Sequence, residues 1–143
     1  MTITQLSVFV ENRPGKLAHI IGVLAGANVD IRALSIADTS DFGILRIIVD
    51  DTEKAASALT AEGILVSKTK VLAAGVSDTP GGLSGLLSML NENGIDIEYM
   101  YSFIAHEKGR AYMVIRVGDN EKVSELLAEK GFETGSEKDF GIK

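Results

Sequence analysis

Two short stretches hold the residues best suited to binding chemistry: Asn12-Arg13-Pro14-Gly15-Lys16-Leu17 and Asp78-Thr79-Pro80-Gly81-Gly82-Leu83. They contain the only two prolines in a chain of 143 residues. Each Pro-Gly pair follows an apolar run with strand spacing and opens a run with helix spacing. Proline near the first helical position fixes φ where no N–H is needed, and glycine lets the backbone turn and lets another molecule approach it. The chemistry on offer is anion binding, because the first N–H groups of a helix lack partners and sit at the positive end of its dipole. A small carboxylate suits such a place, and Gly81-Gly82 suits it at least as well as Gly15-Lys16. The bland alternative is a well-made turn, which is the better account of one isolated copy. Asn12 and Asp78 are spaced to cap the same helices, and as caps they would compete with a ligand for the same donors. Asp30 and Asp96 follow the helical runs; each could take a ligand ammonium or simply close a turn.

Other reactive groupings are weak. Asp41-Phe42-Gly43 and Asp139-Phe140-Gly141 spell the magnesium-binding triplet of kinases, but no other kinase element accompanies them. His19 and His106 lack a carboxylate at ligand spacing, a poor case for a metal. With no cysteine there is no disulfide framework, thiolate site or cysteine nucleophile. Neither a Gly-x-Ser-x-Gly elbow nor a phosphate-binding Gly-x-x-x-x-Gly-Lys-Ser/Thr occurs. No catalytic residue, metal or cofactor is therefore nominated. The net charge of −6 argues against a nucleic-acid partner, which needs clustered Lys and Arg. The start of the chain has no basic leader region and no apolar run approaches membrane-spanning length, so the expectation is a cytoplasmic protein with no membrane partner.

The elements that must position these junctions occur twice. A shift of 66 residues places Pro14 on Pro80, Gly15 on Gly81, Leu17 on Leu83, Leu24 on Leu90, Asp30 on Asp96 and Ile31 on Ile97. Further on, a shift of 68 places Asp51, Glu53 and Lys54 on Asp119, Glu121 and Lys122. The difference implies an insertion around His106-Glu107-Lys108-Gly109, in a turn between strands. Leu6, Val8 and Val10 alternate as in a half-buried strand, and Leu17, Ile20, Ile21 and Leu24 line one side of a helix, repeated by Leu83, Leu86, Leu87 and Leu90. Asp38-Thr39-Ser40-Asp41 is a polar turn between two strands, and Asp51 and Asp119 read as helix caps.

Each copy is thus β-α-β-β-α-β, which predicts an α+β fold of two ferredoxin-like units, antiparallel sheets with helices on one face, packed side by side. The units are expected at residues 1–70 and 71–143, with no linker, because Lys68 to Leu72 runs from the last strand of one into the first strand of the other. Tyr99, Tyr101 and Phe103 alternate on one strand where the first copy has Ala33, Ser35 and Ala37; small against large fits a contact between faces. The polar segment Glu133 to Asp139 is expected as an edge strand or a frayed tail.

A βαββαβ unit entered through Asn12-Arg13-Pro14-Gly15-Lys16-Leu17 and continued by Ala27-Asn28-Val29-Asp30-Ile31 resembles the ACT domain, and the second copy matches through Asp78 to Leu83 and Asn93-Gly94-Ile95-Asp96-Ile97. The pair is similar to stand-alone tandem ACT proteins. The resemblance implies regulatory, allosteric binding of small ligands, typically amino acids, near the first strand–helix loop. Carried over by position, the ligand residues are Asn12, Arg13, Pro14, Gly15, Lys16, Leu17, Asn28, Asp30 and Ile31, with Asp78, Thr79, Pro80, Gly81, Gly82, Leu83, Asp96 and Ile97. The resulting expectation is a non-catalytic amino-acid sensor, a homodimer or other homo-oligomer, whose state is read by a metabolic enzyme or regulator. The alternatives are an interaction module that joins an enzyme without binding ligand, and a small ferredoxin-like enzyme.

Overall fold

The computed structural model describes residues 1–38, 41–104 and 108–143. Strand β1 (Ile3–Glu11) buries Leu6, Val8 and Val10 beneath helices and turns Ile3, Gln5, Ser7 and Phe9 to its other side. Helix α1 (Lys16–Gly26) buries Ile20 and Leu24 on the same core. Then come β2 (Ile31–Asp38), β3 (Phe42–Val49) and α2 (Thr52–Ala61), whose cap Asp51 accepts from the Lys54 N–H at 3.1 Å. The second unit holds α3 (Gly82–Glu92), β5 (Ile97–Ser102), β6 (Arg110–Val117), α4 (Asn120–Glu129) and the short β7 (Glu133–Thr134). Asp119 caps α4 as Asp51 caps α2, through the Lys122 N–H. Between the units runs β4 (Val66–Ser77), last strand of one and first of the other, so residues 70 and 71 are neighbours within one strand. Thr39 and Ser40 of the expected turn, and His106 and Glu107 of the expected insertion, lie outside the described residues.

Strand order is β2-β3-β1-β4-β6-β5, with β7 also beside β4. The first half of β4 pairs with β1 (Thr4 opposite Lys70) and the second half with β6 (Ala74 opposite Met113). Each unit has a core between its own sheet and helices. A third core joins the helix-free faces: Ile3, Ala33, Ile48 and Val71 meet Ala73, Tyr101, Phe103 and Val114. The outermost strands of the two units also touch, where Ala33 bridges Phe103 and the Ile104 N–H donates to the Arg32 carbonyl at 2.9 Å.

Two β-α-β-β-α-β units form with the expected element order, and they lie side by side along the shared β4. Beyond it the sheets fold over and meet face to face. The physical reason is the bare face of each sheet: burying one side chain of this size is worth roughly 1.5–3 kcal/mol, and a flat extension would leave the whole row in water. A small residue does face a large one, but Ala33 meets Phe103 and not its own repeat counterpart Tyr99, because the two strands run antiparallel.

One polar residue sits in this third core. Gln5 is fully buried; its amide NH₂ donates to Tyr99 Oη at 2.8 Å and Ser7 Oγ at 3.0 Å, and its carbonyl accepts from Tyr101 Oη at 2.7 Å. The Arg46 guanidinium lies 3.7 Å from the centre of the Tyr99 ring. Buried polar groups must be paired, so this cluster admits few other registers of one unit on the other.

The end of the chain is not frayed. After β7 it crosses to the first unit, where the Glu137 carboxylate accepts from the Thr4 N–H at 3.0 Å and Thr4 Oγ1 at 2.9 Å. Phe140 stacks on Phe103 with ring centres 4.3 Å apart and meets Tyr112 edge-on at 5.3 Å. Ile142 is buried in the third core and the Lys143 N–H donates to the Asp50 carbonyl. The segment is polar in sequence because its polar atoms are bonded locally: the Ser136 N–H and Oγ both donate to Asp139 at 2.8 Å, which lowers the pKa of that carboxyl.

Two outcomes follow for the third core. Gln5→Ala strands the Tyr101 hydroxyl and should cost about 1–3 kcal/mol in urea unfolding. Burial, with Tyr99 nearby, raises the Tyr101 pKa well above the usual tyrosine value. A raised folded pKa gives stability that is full below the unfolded value and lost as pH climbs past it. Stability should therefore fall by about 1.4 kcal/mol per pH unit above about pH 10, and Tyr101→Phe, compared over the same alkaline range, should lack that component.

Candidate functional site

The two Pro-Gly junctions have the same local structure. Gly15 (φ 85°) and Gly81 (φ 90°) are the helix-capping residues, both left-handed, and neither helix has a side-chain cap. The prolines therefore lie one residue before the cap rather than in the first turn. Asn12 and Asp78 do not cap: their backbone N–H groups donate to the Asp41 carbonyl at 3.1 Å and the Gly109 carbonyl at 3.0 Å, which ties each junction to the neighbouring strand. A tight turn closes each junction, Lys16 N–H to Arg13 at 3.3 Å and Gly82 N–H to Thr79 at 3.0 Å. The next bonded donors are His19 and Gly85. Among the described residues the N–H groups of Leu17, Ala18, Leu83 and Ser84 have no hydrogen-bond partner. Both helices thus present open donors.

The glycines differ in what they serve. A side chain at Gly15 or Gly81 would meet nothing within 4 Å, so only the positive φ demands glycine there. At Gly82 a Cβ would lie 2.0 Å from the Ser77 carbonyl oxygen. Gly82 is needed to seat the helix on β4, whatever binds nearby. Arg13 is engaged by Glu11 at 2.8 Å, and Leu17 packs on the first core.

The remaining expected residues lie at the far ends of the helices. Asn28 (φ 58°) follows α1, and its carbonyl accepts from Lys54 Nζ at 3.1 Å. Asp30 pairs with Arg32 at 3.2 Å, while Ile31 and Ile97 pack on their own cores and Asp96 is exposed. An 11-residue helix separates each junction from its own Asp by about 16 Å. The antiparallel contact of Ala33 with Phe103 carries Asp30 and Ile31 toward the end of the second unit that bears Asp78. The same relation directs Asp96 and Ile97 toward the end that bears Asn12.

A cavity of about 310 Å³ opens beside the first junction. Ladder pairing of β1 with β4 ends at Val8 opposite Val66, and after one further bond, from the Phe9 N–H to the Leu65 carbonyl at 3.4 Å, Val10 and Glu11 have β3 on one side only. The gap between this strand end, the first turn of α1 and the loop Glu62 to Leu65 is the cavity. It spans the edge of β1: Phe9 and Phe42 line it from the helix-free face of the sheet, Ile20, Lys16 and His19 from α1, and Glu62 and Leu65 from the loop, with Glu11 also at the rim. Phe9, Phe42 and Leu65 are 54%, 53% and 72% exposed. Lys16 and His19, on one face of α1, have no ion-pair partner among the described residues. Lys16 alone of these belonged to the expected set. Phe9, Phe42 and Leu65 are invisible to pattern reading, because an apolar residue at a strand position looks the same whether covered or bare.

A second opening of about 360 Å³ lies among Thr4, Thr52, Glu53, Lys68, Lys70 and Glu137. Four of its charged side chains pair among themselves: Lys68 with Glu53, and Lys70, which also reaches Thr4 Oγ1 at 2.6 Å, with Glu137 at 3.9 Å. Among the described residues no group of three or more His, Asp or Glu is placed to hold a metal ion, and no helix is long and apolar enough to cross a membrane.

A family model described as an ACT domain pair matches residues 1–142. A protein of Bacteroides thetaiotaomicron with a known crystal structure is 39% identical; the match covers 99% of this chain and 96% of that one, with a TM-score of 0.90. The regulatory subunit of aspartate kinase from Thermus thermophilus, in its ligand-free form, is similar over 88% of this chain and 90% of its own at 15% identity and a TM-score of 0.62. A structure of aspartokinase alpha and beta subunits matches over the same shares at 18% identity and 0.57. These last two likenesses concern the fold. No curated protein matches the sequence.

The junction glycines separate experimentally. Gly82→Ala should destabilise by several kcal/mol, since a backbone carbonyl must move. Gly85→Ala, exposed and unobstructed in the same helix, should stabilise by roughly 0.5–1 kcal/mol. Thermal unfolding of both variants checks the pair.

Proposed function

The chain belongs to the ACT domain pair family, and on that premise we propose that it is a non-catalytic regulatory protein that senses a free amino acid in the cytoplasm. The observation that carries this reading is the pair of uncapped helix starts. Each presents two open N–H groups at the positive end of a helix, an arrangement that favours a carboxylate. In this reading the residues from Asn12 to Leu17 and from Asp78 to Leu83 surround the ligand carboxylate, Leu17 and Ala18, or Leu83 and Ser84, supplying the donors. Asp30 or Asp96 of the opposite unit takes the ammonium, with Asn28, Ile31 and Ile97 beside it. Binding between units favours one packing of the two sheets, and a homodimer partner or a metabolic enzyme reads that packing.

Similarity in fold to a regulatory subunit of aspartate kinase supports a regulatory role. A second reading, an interaction module without ligand, draws support from the exposed Phe9, Phe42 and Leu65. A thermal-shift panel of the common amino acids decides between them. Ligand at 100 times its Kd should add about 2.7 kcal/mol of stability. A flat response at millimolar concentration, with recovery of a stable protein complex insensitive to amino acids, would replace the first reading by the second.

A further inference from the structure

The cavity beside the first junction has a counterpart in the second unit, and the two are built from opposite chemistry. By the internal repeat Phe9 corresponds to Gly75, Phe42 to Arg110, Ile44 to Tyr112 and Leu65 to Glu133. In the second unit Arg110 pairs with Glu133 at 2.8 Å, and the Tyr112 hydroxyl donates to the same carboxylate at 2.9 Å. These three side chains already fill the space over Gly75: a Cβ there would lie 3.0 Å from Tyr112, 3.1 Å from Arg110 and 3.2 Å from Glu133. Phe140 closes the place further by lying edge-on against Tyr112. The rim differs as well, since Lys16 and His19 correspond to Gly82 and Gly85. The second unit therefore lacks both cations and most of the apolar wall.

From this asymmetry we infer that the cavity of the first unit is the chain's amino-acid site, occupied once per chain, and that it selects an amino acid with a bulky apolar side chain. The inference rests on the amino-acid reading above and differs from it in placing the ligand within one unit. Lys16 and His19 face the ligand carboxylate from α1, beside the open N–H groups of Leu17 and Ala18. Glu62 faces its ammonium from the α2–β4 loop; Glu11, on the same rim, is held by Arg13. Phe9, Phe42, Ile20 and Leu65 take the side chain. A volume of about 310 Å³ is at the lower end for small-molecule sites and suits a ligand of this size.

Calorimetric titration with L-leucine and L-phenylalanine, and with L-alanine and L-aspartate for contrast, tests it. The expected result is one site per chain for a bulky apolar amino acid, with L-alanine at least tenfold weaker. The double variant Phe42→Arg/Leu65→Glu, which installs the second unit's own ion pair, should weaken binding at least tenfold, as should Lys16→Met. Arg110→Met should leave it unchanged. All of these positions are at least partly exposed, and unfolding midpoints of the unliganded variants report whether each folds. Two sites per chain, a preference for polar amino acids, or unchanged affinity in both first-unit variants would overturn the inference while leaving an amino-acid sensor in place. Failure of every common amino acid to bind would overturn both.

Discussion

Strand β4 is the constraint on which the rest of the molecule depends. It pairs with β1 over its first half and with β6 over its second, so neither sheet can move without carrying a strand of the other. A unit of this type covers one face of its sheet with helices and leaves the other bare. With the sheets joined through one strand, the bare faces are brought within reach of each other, and their apolar rows close on themselves. The shared strand makes this contact intramolecular, which removes the entropy cost two separate chains would meet.

Within that contact a few polar atoms choose the register. Apolar rows tolerate sliding, because one methyl group packs nearly as well as the next. Gln5 does not: its amide must find the Tyr99 and Tyr101 hydroxyls, or it is stranded in a dry core. The terminal segment adds a second tie from the opposite side, with Glu137 on Thr4 and Phe140 on Phe103. Any shift of one sheet on the other must break these ties.

The duplication shows how one backbone supports two surfaces. The junctions at Gly15 and Gly81 have nearly the same φ and the same open donors, since backbone geometry is set by Pro-Gly and by the helix that follows. Side chains around them are free to diverge. Phe42 and Leu65 stand where the other copy has Arg110 and Glu133, so an apolar wall in one copy is an ion pair in the other. Burial and bonding, not element type, separate the two.

Much of the protein was legible in the sequence because its periodicities are local. Leu6, Val8 and Val10 announce a strand, Leu17, Ile20 and Leu24 a helix, and Asp51 and Asp119 their caps, each from residues a few positions apart. Their repetition determined two β-α-β-β-α-β units and the absence of a linker. Long-range facts were out of reach. Asn12 and Asp78 have the spacing of caps, yet the helices start further on, with Gly15 and Gly81 at the cap positions, and the N–H groups of Asn12 and Asp78 bond the residues just before β3 and β6. Gly82 looks like room for a ligand until the Ser77 carbonyl is seen against it. The polar tail reads as an edge strand or a frayed end; its first two residues do form the strand β7, but nothing local shows that Glu137 and Ile142 have partners in the first unit. Phe9, Phe42 and Leu65 read as strand residues, and only the tertiary structure shows each more than half exposed beside Lys16 and His19. Sequence alone determined which elements form, since those are decided by neighbours along the chain. Tertiary structure decided how the sheets fold over and where the cavity lies, since those depend on contacts between residues far apart in sequence.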